Sequence, residues 1–246
     1  MDEERKHTPL KLVLLGYGRM GQRVEKLLPH YPGIMLHSIK KRDDSLKVLK
    51  DAHIAIDFST AGGVDAHIDA AITYKVPLLI CVTGLASTTH KKMTEAAFHI
   101  PICYAPNTSI GIAILNHFVE KTANLLREYD IEICEIHHKH KVDAPSGTSL
   151  LLGEAAAKGR SVNLSEYKVY PHTHKRQEGQ IGFAVMRGGS APGEHHVNFF
   201  GDEDMITLTH KSYTPDLFAK GALDLGVKLA KKENGFYTVS DLLNLF

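Results

Sequence analysis

Short apolar runs alternate with amphipathic segments along the first hundred residues. Five runs have the length and composition of buried strands, at 10–15, 34–39, 53–58, 76–82 and 102–104. Segments with helical periodicity lie between them, at 20–28, where Pro29 should end the helix, 64–73 and 89–98. Because strands separated by helices return through crossover connections, this pattern predicts a parallel, doubly wound α/β sheet.

The pattern changes near residue 110. A long amphipathic helix at 110–126 precedes a strictly alternating strand at 130–136 and a helix at 150–157. Three β-like runs between residues 179 and 210 have no helix between them, which predicts mixed or antiparallel pairing. A last helix is predicted at 216–231. We therefore expect an α/β first domain at 1–108, completed by about 217–246, and an α+β second domain with an open sheet at 109–216.

Composition narrows the class of partner. The chain has 246 residues, 43% of them hydrophobic, and a formal net charge of +1. A charge this small gives no general attraction to nucleic acid or to a membrane surface, and no apolar run is long enough to cross a bilayer. The polar N-terminus and three cysteines in apolar runs suggest a reduced, cytoplasmic protein. The expected partner is a small molecule.

A glycine-rich turn follows the first strand. The sequence 16-GYGRMG-21 has the spacing that lets Gly16 form a tight turn, Gly18 admit a pyrophosphate and Gly21 pack a helix closely on the sheet. The start of the next helix supplies amide donors for phosphates. We interpret this segment as a dinucleotide-binding loop; the alternative is an incidental glycine turn.

The second strand runs into 40-KKRDD-44. An acidic residue at this place would bind the ribose hydroxyls of NAD, whereas Lys41 and Arg42 suit the 2′-phosphate of NADP. This favours NADPH, with NADH possible if Asp43 takes the ribose. The other reading is a solvated basic loop.

The stretch 137-HHKHKVDAPSGTSL-150 concentrates titratable side chains before a helix start. On a strand, His137 and His138 face opposite ways, and Lys141 follows after the strand. Ser146 or Thr148 can cap the helix, whose first amides would bind a carboxylate. The stretch therefore combines a proton donor, a cation and an anion site. Two alternatives stay open: a zinc site at His137, His138 and His140, or a surface strand followed by a capped helix.

EIHHKHKVDAPSGTSL resembles the signature of the 4-hydroxy-tetrahydrodipicolinate (dihydrodipicolinate) reductases, in their shorter form. The resemblance extends in order through GYGRMG, IDFS, VTGL, APNTSIG, RGGSAPGEH and FAKGAL, over nearly the whole chain. It implies a Rossmann-like first domain and a substrate domain that also builds a homotetramer. It further implies NAD(P)H-dependent reduction of a cyclic dicarboxylate in diaminopimelate and lysine biosynthesis.

The same resemblance assigns roles to matching positions. His137 would be the proton donor and Lys141 the second catalytic residue. The substrate would be held by His138, Ser146, Gly147 and Thr148. The cofactor would be held by Gly16, Tyr17, Gly18, Arg19, Met20, Gly21, Lys41, Arg42, Cys81, Val82, Thr83, Ala105, Pro106, Asn107 and Thr108. The alternatives are a catalytically inactive NADP-binding sensor and another two-domain nicotinamide dehydrogenase.

Overall fold

A computed structural model describes residues 8–245, so the first seven residues of the polar N-terminal segment lie outside it. The chain divides into two compact units. The first contains the residues up to Ser109 together with Asp216–Asn244, and the second contains Ile110–Pro215.

The bounds of the elements follow in chain order. The strands are β1 Leu10–Leu15, β2 Ile34–Lys40, β3 Ile54–Asp57, β4 Leu78–Ile80, β5 Pro101–Tyr104, β6 Asp130–His137, β7 Lys168–Val169, β8 Ile181–Arg187, β9 Glu194–Phe200, β10 Met205–Lys211 and β11 Gly235–Tyr237. The helices are α1 Arg19–Leu27, α2 Ala61–Tyr74, α3 Ser87–Ala96, α4 Ile110–Leu125, α5 Gly147–Arg160, α6 Leu164–Tyr167, α7 Asp216–Leu229 and α8 Val239–Leu243.

The first unit is built on a six-stranded sheet in the order β2-β1-β3-β4-β5-β11. Every neighbouring pair of strands is parallel. Alternate residues of β1 enter different cores: Val13 packs with α2 and α3, whereas Leu12 packs with α1 and α7. Helices therefore cover both faces, which confirms the predicted doubly wound fold.

The second unit is built on a five-stranded sheet in the order β10-β9-β6-β8-β7. Strand β6 pairs in parallel with β8 and antiparallel with β9, so the predicted mixed sheet is confirmed. Strict alternation along β6 turns Ile131 and Ile133 towards α4 and α5. Those helices cross closely at Gly159, where a Cβ would lie 2.2 Å from the Glu120 carbonyl oxygen.

The differences from the predicted elements lie at helix ends and in short elements. Helix α1 ends at Leu27, one residue before the predicted end, and Pro29 lies in the 3₁₀ turn Leu28–His30 that follows it. Helix α5 is longer than predicted at both ends. The short elements β7, β11, α6 and α8 were not predicted, since two to five residues carry too little periodicity. Among the described residues no helix is long and apolar enough to cross a membrane.

Candidate functional site

The residues predicted to bind a cofactor follow the carboxyl ends of four parallel strands in the first unit. The glycine loop follows β1, Lys41 follows β2, Cys81 follows β4 and Ala105 follows β5. Strand β1 lies between β2 and β3, so the strand order reverses at β1. In an open parallel sheet, the crevice at this reversal is where a nucleotide binds.

Glycine is needed at each of the three positions of this loop for a different physical reason. Gly16 has φ +91°, and a Cβ there would lie 2.7 Å from the Ser59 Cα. A Cβ on Gly21 would lie 2.5 Å from the Gly16 carbonyl oxygen, so the start of α1 packs against the end of β1. A Cβ on Gly18 would meet nothing within 4 Å. The loop therefore packs closely against neighbouring backbone at Gly16 and Gly21 and is open at Gly18, where a phosphate would need room.

A buried acid–histidine pair supports this loop. Asp57, at the end of β3, lies 2.7 Å from the Nδ1 atom of His67 on α2, and both side chains are buried. The other Asp57 oxygen accepts a hydrogen bond from the Ser59 amide at 2.8 Å. The pair thus fixes the turn against which Gly16 packs. Asp57 and Ser59 belong to the IDFS motif, whereas His67 was not predicted from the sequence, because its position on α2 carries no local signal.

The basic loop after β2 is exposed and locally ordered. The Lys41 ammonium lies 5.4 Å from the centre of the Tyr17 ring, within range of a cation–π contact. Lys40 donates hydrogen bonds to the carbonyl oxygens of Lys41 and Arg42, while the Lys41 amide donates to Asp44. These contacts fix the backbone of the loop in which Lys41 and Arg42 follow β2 directly.

The two segments predicted to contact the nicotinamide, 81–83 and 105–108, begin with residues whose side chains are buried in the hydrophobic core. Cys81 and Ala105 belong to the core beneath α1 and α7, and Val82 belongs to the opposite core. Burial raises the pKa of the Cys81 thiol well above its usual value, so the thiol is neutral. Thr83 and Pro106 are exposed. The Thr108 hydroxyl donates a 2.6 Å hydrogen bond to the Phe218 carbonyl oxygen, which ties this segment to α7.

A second polar cluster lies in the second unit around the carboxylate of Glu135. Oε1 accepts hydrogen bonds from the Ser146 amide at 2.9 Å and from the Arg187 guanidinium at 2.8 Å. Oε2 accepts from the Ser149 hydroxyl at 3.0 Å and lies 3.2 Å from His137 Nδ1. Burial alone would raise the pKa of Glu135, but the hydrogen bonds from its neighbours outweigh it and hold the pKa well below its usual range.

His137 and His195 share this carboxylate. Their rings meet edge to face with centroids 5.1 Å apart, and His195 Nε2 lies 3.7 Å from Glu135 Oε2. Burial, followed by the charge of His137, lowers the pKa of His195 to about 3, so His195 is neutral. His137 Nδ1 lies within hydrogen-bonding distance of Glu135 but is not aligned for a strong bond. Its Nε2 edge lies against Gly193, whose φ is +139°.

The other predicted catalytic and substrate residues lie in the loop after β6. His138 is half-buried, and its carbonyl oxygen accepts a hydrogen bond from the Lys141 amide. The Lys141 ammonium pairs with both oxygens of Asp143 at 2.8 and 2.9 Å, and this contact lowers the pKa of Asp143. The structure assigns the cap of α5 to Ser146, whose hydroxyl accepts from the Ser149 amide. Gly147 and Thr148 form the first turn of α5.

Comparison with known proteins places these sites in a family. Residues 10–108 match the family described as dihydrodipicolinate reductase, N-terminus, and residues 111–243 match dihydrodipicolinate reductase, C-terminus. The chain is 39% identical over 252 residues to a 4-hydroxy-tetrahydrodipicolinate reductase of Zymomonas mobilis, covering 98% of this chain and 99% of that protein. The chain belongs to the dihydrodipicolinate reductase family. The resemblance read from the histidine signature is confirmed.

Further relatives agree with this assignment. A 4-hydroxy-tetrahydrodipicolinate reductase of Campylobacter jejuni is 34% identical over 232 residues, with 93% of this chain and 96% of that protein covered. A dipicolinate-bound dihydrodipicolinate reductase from Paenisporosarcina has the same fold, with a TM-score of 0.81, 21% identity and coverage of 97% and 100%. An engineered D-amino acid dehydrogenase bound to NADP⁺ is less similar in fold, with a TM-score of 0.56, 15% identity and coverage of 94% and 93%.

The geometry offers a different metal set from the histidines considered in the sequence. Among the described residues, ligand atoms of Glu135, His137 and His195 lie within 4.8 Å of one another. However, the carboxylate already accepts three hydrogen bonds, one of them from the cationic Arg187. A metal ion would have to displace these donors, and the positive charge of Arg187 nearby would repel it. The hydrogen bonding of this cluster therefore does not favour a metal site.

The low pKa of His195 predicts a pH dependence of stability. A histidine whose folded pKa lies below its unfolded value of about 6.5 contributes fully above that pH, and its contribution is lost as the pH falls towards 3. Between pH 7 and pH 4, urea unfolding of the unmodified protein should lose about 3 kcal/mol more than that of a His195→Gln variant. The exposed His99→Gln serves as control. Equal losses in all three proteins would contradict the buried neutral state.

Proposed function

We propose that this protein reduces 4-hydroxy-tetrahydrodipicolinate to tetrahydrodipicolinate with a nicotinamide nucleotide, in diaminopimelate and lysine biosynthesis. The observation that carries the proposal is the Glu135 carboxylate, which contacts His137 and the first turn of α5 together. A proton donor is thereby fixed beside a helix start, where a substrate carboxylate would bind. Sequence identity along whole chains supports the same substrate.

The first unit fits the dinucleotide that this activity requires. Open space at Gly18 leaves room for a pyrophosphate, and the first amides of α1 would donate to it. Tyr17, Arg19 and Met20 would complete this loop, with Thr83, Pro106 and Asn107 towards the nicotinamide. Because Cys81, Val82, Ala105 and Thr108 are buried, we assign contact there to backbone atoms. The bound cofactor supplies a hydride.

The residues of the second unit supply the proton and hold the substrate. His137 is the proton donor: its Nδ1 faces the Glu135 carboxylate, which stabilises the imidazolium, and Nε2 is the atom that gives up the proton. Lys141 stabilises negative charge on the substrate, exchanging Asp143 for a substrate carboxylate. His138, Ser146, Gly147 and Thr148 hold the other polar end and fix orientation.

The rival functions make different demands on these residues. A sensor that has lost catalysis needs the nucleotide loop but does not need a charged carboxylate buried beneath His137. Another two-domain dehydrogenase shares the parallel sheet but not the histidine–lysine loop joined to a capped helix. The complete cluster around Glu135 therefore favours the active reductase.

For the cofactor we propose NADPH in preference to NADH. Lys41 and Arg42 place two cations at the carboxyl end of β2, where the adenosine ribose of a dinucleotide binds. Asp44 is engaged by the Lys41 amide, which leaves Asp43 as the acidic alternative for the ribose hydroxyls of NADH.

The activity is tested by steady-state oxidation of NADPH with freshly generated 4-hydroxy-tetrahydrodipicolinate. We expect turnover by the unmodified protein, and a kcat at least about 100-fold lower for His137→Gln, because general-acid catalysis contributes about 10²–10⁴-fold. His140→Gln, in the exposed loop that follows β6, is the matched control and should retain turnover within twofold. Absence of turnover by a folded, NADPH-binding protein would exclude the reductase and favour the sensor.

The cofactor preference is tested by the ratio of kcat/KM for NADPH to that for NADH. In Lys41→Ala/Arg42→Ala this ratio should fall at least about tenfold, through a higher KM for NADPH, because the loss of even one charge contact to a phosphate costs about 1.5–3 kcal/mol. Lys47→Ala, a cation outside this loop, is the control. An unchanged ratio would assign Lys41 and Arg42 to a solvated loop.

We also propose a homotetramer built by the second unit. Helices α4 and α5 cover one face of its sheet, while the opposite face exposes Met186, Phe200 and Met205. Strand β10 is an edge strand, so face and edge offer two different two-fold contacts, as a tetramer with dihedral symmetry needs.

Light scattering after gel filtration tests this arrangement. The unmodified protein should have four times the mass of one chain, and Met186→Glu/Met205→Glu should be smaller because charges would be buried at the contact. Phe98→Glu, an exposed aromatic residue of the first unit, should leave the mass unchanged. A monomeric unmodified protein would overturn the proposal.

A further inference from the structure

Glu135 occupies a position at which the fold alone would favour an apolar side chain. It follows Ile131 and Ile133 on the face of β6 that packs under α4 and α5, and it is 1% exposed. Burying a carboxylate costs several kcal/mol unless its oxygens are hydrogen-bonded, whereas an apolar residue there would extend the core. A residue that conflicts with its local surroundings in this way is expected to serve function.

The contacts of Glu135 connect separate segments of the second unit. Oε1 accepts hydrogen bonds from the Ser146 amide, at the start of α5, and from Arg187, at the end of β8. Oε2 receives the Ser149 hydroxyl and faces His137. Arg187 also donates a 2.6 Å hydrogen bond to the carbonyl oxygen of Asp143, the residue that pairs with Lys141. One carboxylate thus joins the proton donor, the helix start and, through Arg187, the lysine loop.

The His137 ring has Nδ1 3.2 Å from Glu135 Oε2, without the alignment of a strong hydrogen bond, and Nε2 at Gly193. With Nδ1 turned to the carboxylate, the neutral ring keeps its proton on Nδ1, and Nε2 is the nitrogen that carries and releases the catalytic proton. In the transfer, the Nε2–H bond breaks, a C–H bond forms on the substrate, and the ring returns to its neutral form with Nδ1–H intact. Gly193 leaves space at the Nε2 edge, since a Cβ there would lie 3.1 Å from this atom.

We infer that Glu135 is a positioning residue of the reductase, which sets the tautomer and direction of His137 and fixes it relative to the first turn of α5. The inference rests on the proposed function, because the proton donor it positions is the one assigned there. Neutral His195 and the cation Arg187 complete the surroundings but do not replace it. Arg187 has no acceptor atom, and His195 directs Nε2 to the Ser146 hydroxyl at 3.2 Å, so Glu135 supplies the acceptor beside His137 Nδ1.

A double-mutant cycle tests whether Glu135 acts through His137. Glu135→Gln should lower kcat about 100-fold with the KM for NADPH within twofold. In a His137→Gln background, the same change should lower kcat less than threefold, because the residue on which it acts is already absent. Glu132→Gln, on the same strand and the opposite face, is the matched control and should retain kcat within twofold. Equal losses in both backgrounds, or no loss in the single variant, would overturn the inference.

A second readout does not depend on turnover. In ¹⁵N spectra of the labelled protein, neutral His137 should appear as the Nδ1–H tautomer, and Glu135→Gln should shift it towards Nε2–H. An Nε2–H tautomer in the unmodified protein would overturn the positioning role even if the enzyme is active. Conversely, the expected tautomer with no turnover would leave the positioning of the ring intact and refute the proposed function. If Glu135→Gln does not fold, Glu135→Asp, which keeps the charge but shortens its reach, takes its place in both measurements.

Discussion

The second unit depends on one buried charge. Glu135 stays ionised inside the core because hydrogen bonds to its two oxygens come from a backbone amide, a hydroxyl and a guanidinium. Removing any donor would leave part of that charge unsatisfied, at a cost of about 1–3 kcal/mol. Two of these donors lie at the start of α5 and the third at the end of β8, so the carboxylate fixes the end of β6 relative to both elements. The geometry available for chemistry follows from that constraint.

The first unit solves a related problem in backbone geometry. Parallel strands bring the loops after β1, β2, β4 and β5 to one edge, so residues far apart in sequence converge there without direct attraction. The remaining task is to hold the glycine turn in shape, and Asp57 does this through Ser59 and His67. In each unit, a buried acid at or near the end of a strand fastens the loop that carries function.

Much of this arrangement could be predicted from the sequence, for reasons that differ between its parts. The central strands β3 and β4 of the first unit lie in apolar runs because both faces of the sheet are buried there, and the glycine spacing is visible directly in the sequence. The histidine signature was informative because the strand end, loop and helix cap lie within one short segment. By contrast, β7 and β11 are too short to show a period.

The role of Glu135 could not have been predicted from apolar runs, glycine spacing or the histidine signature, although its unusual position on the strand is visible in the sequence. Alternation along β6 places Glu135 on the same buried face as Ile131 and Ile133, although its side chain is charged. From the alternation rule alone, a charged residue at this position would suggest that the face is exposed to solvent. The residues that explain this buried charge are distant in sequence. Arg187, 52 residues away, donates a hydrogen bond to Glu135, and His195 lies opposite it on the neighbouring strand. The sequence alone can identify the proposed proton donor, His137, because this residue and the loop after it are contiguous. The carboxylate that we propose orients His137 is recognised only when the sheet brings its partners together, so a short signature motif indicates a reaction before it indicates how the acid is held.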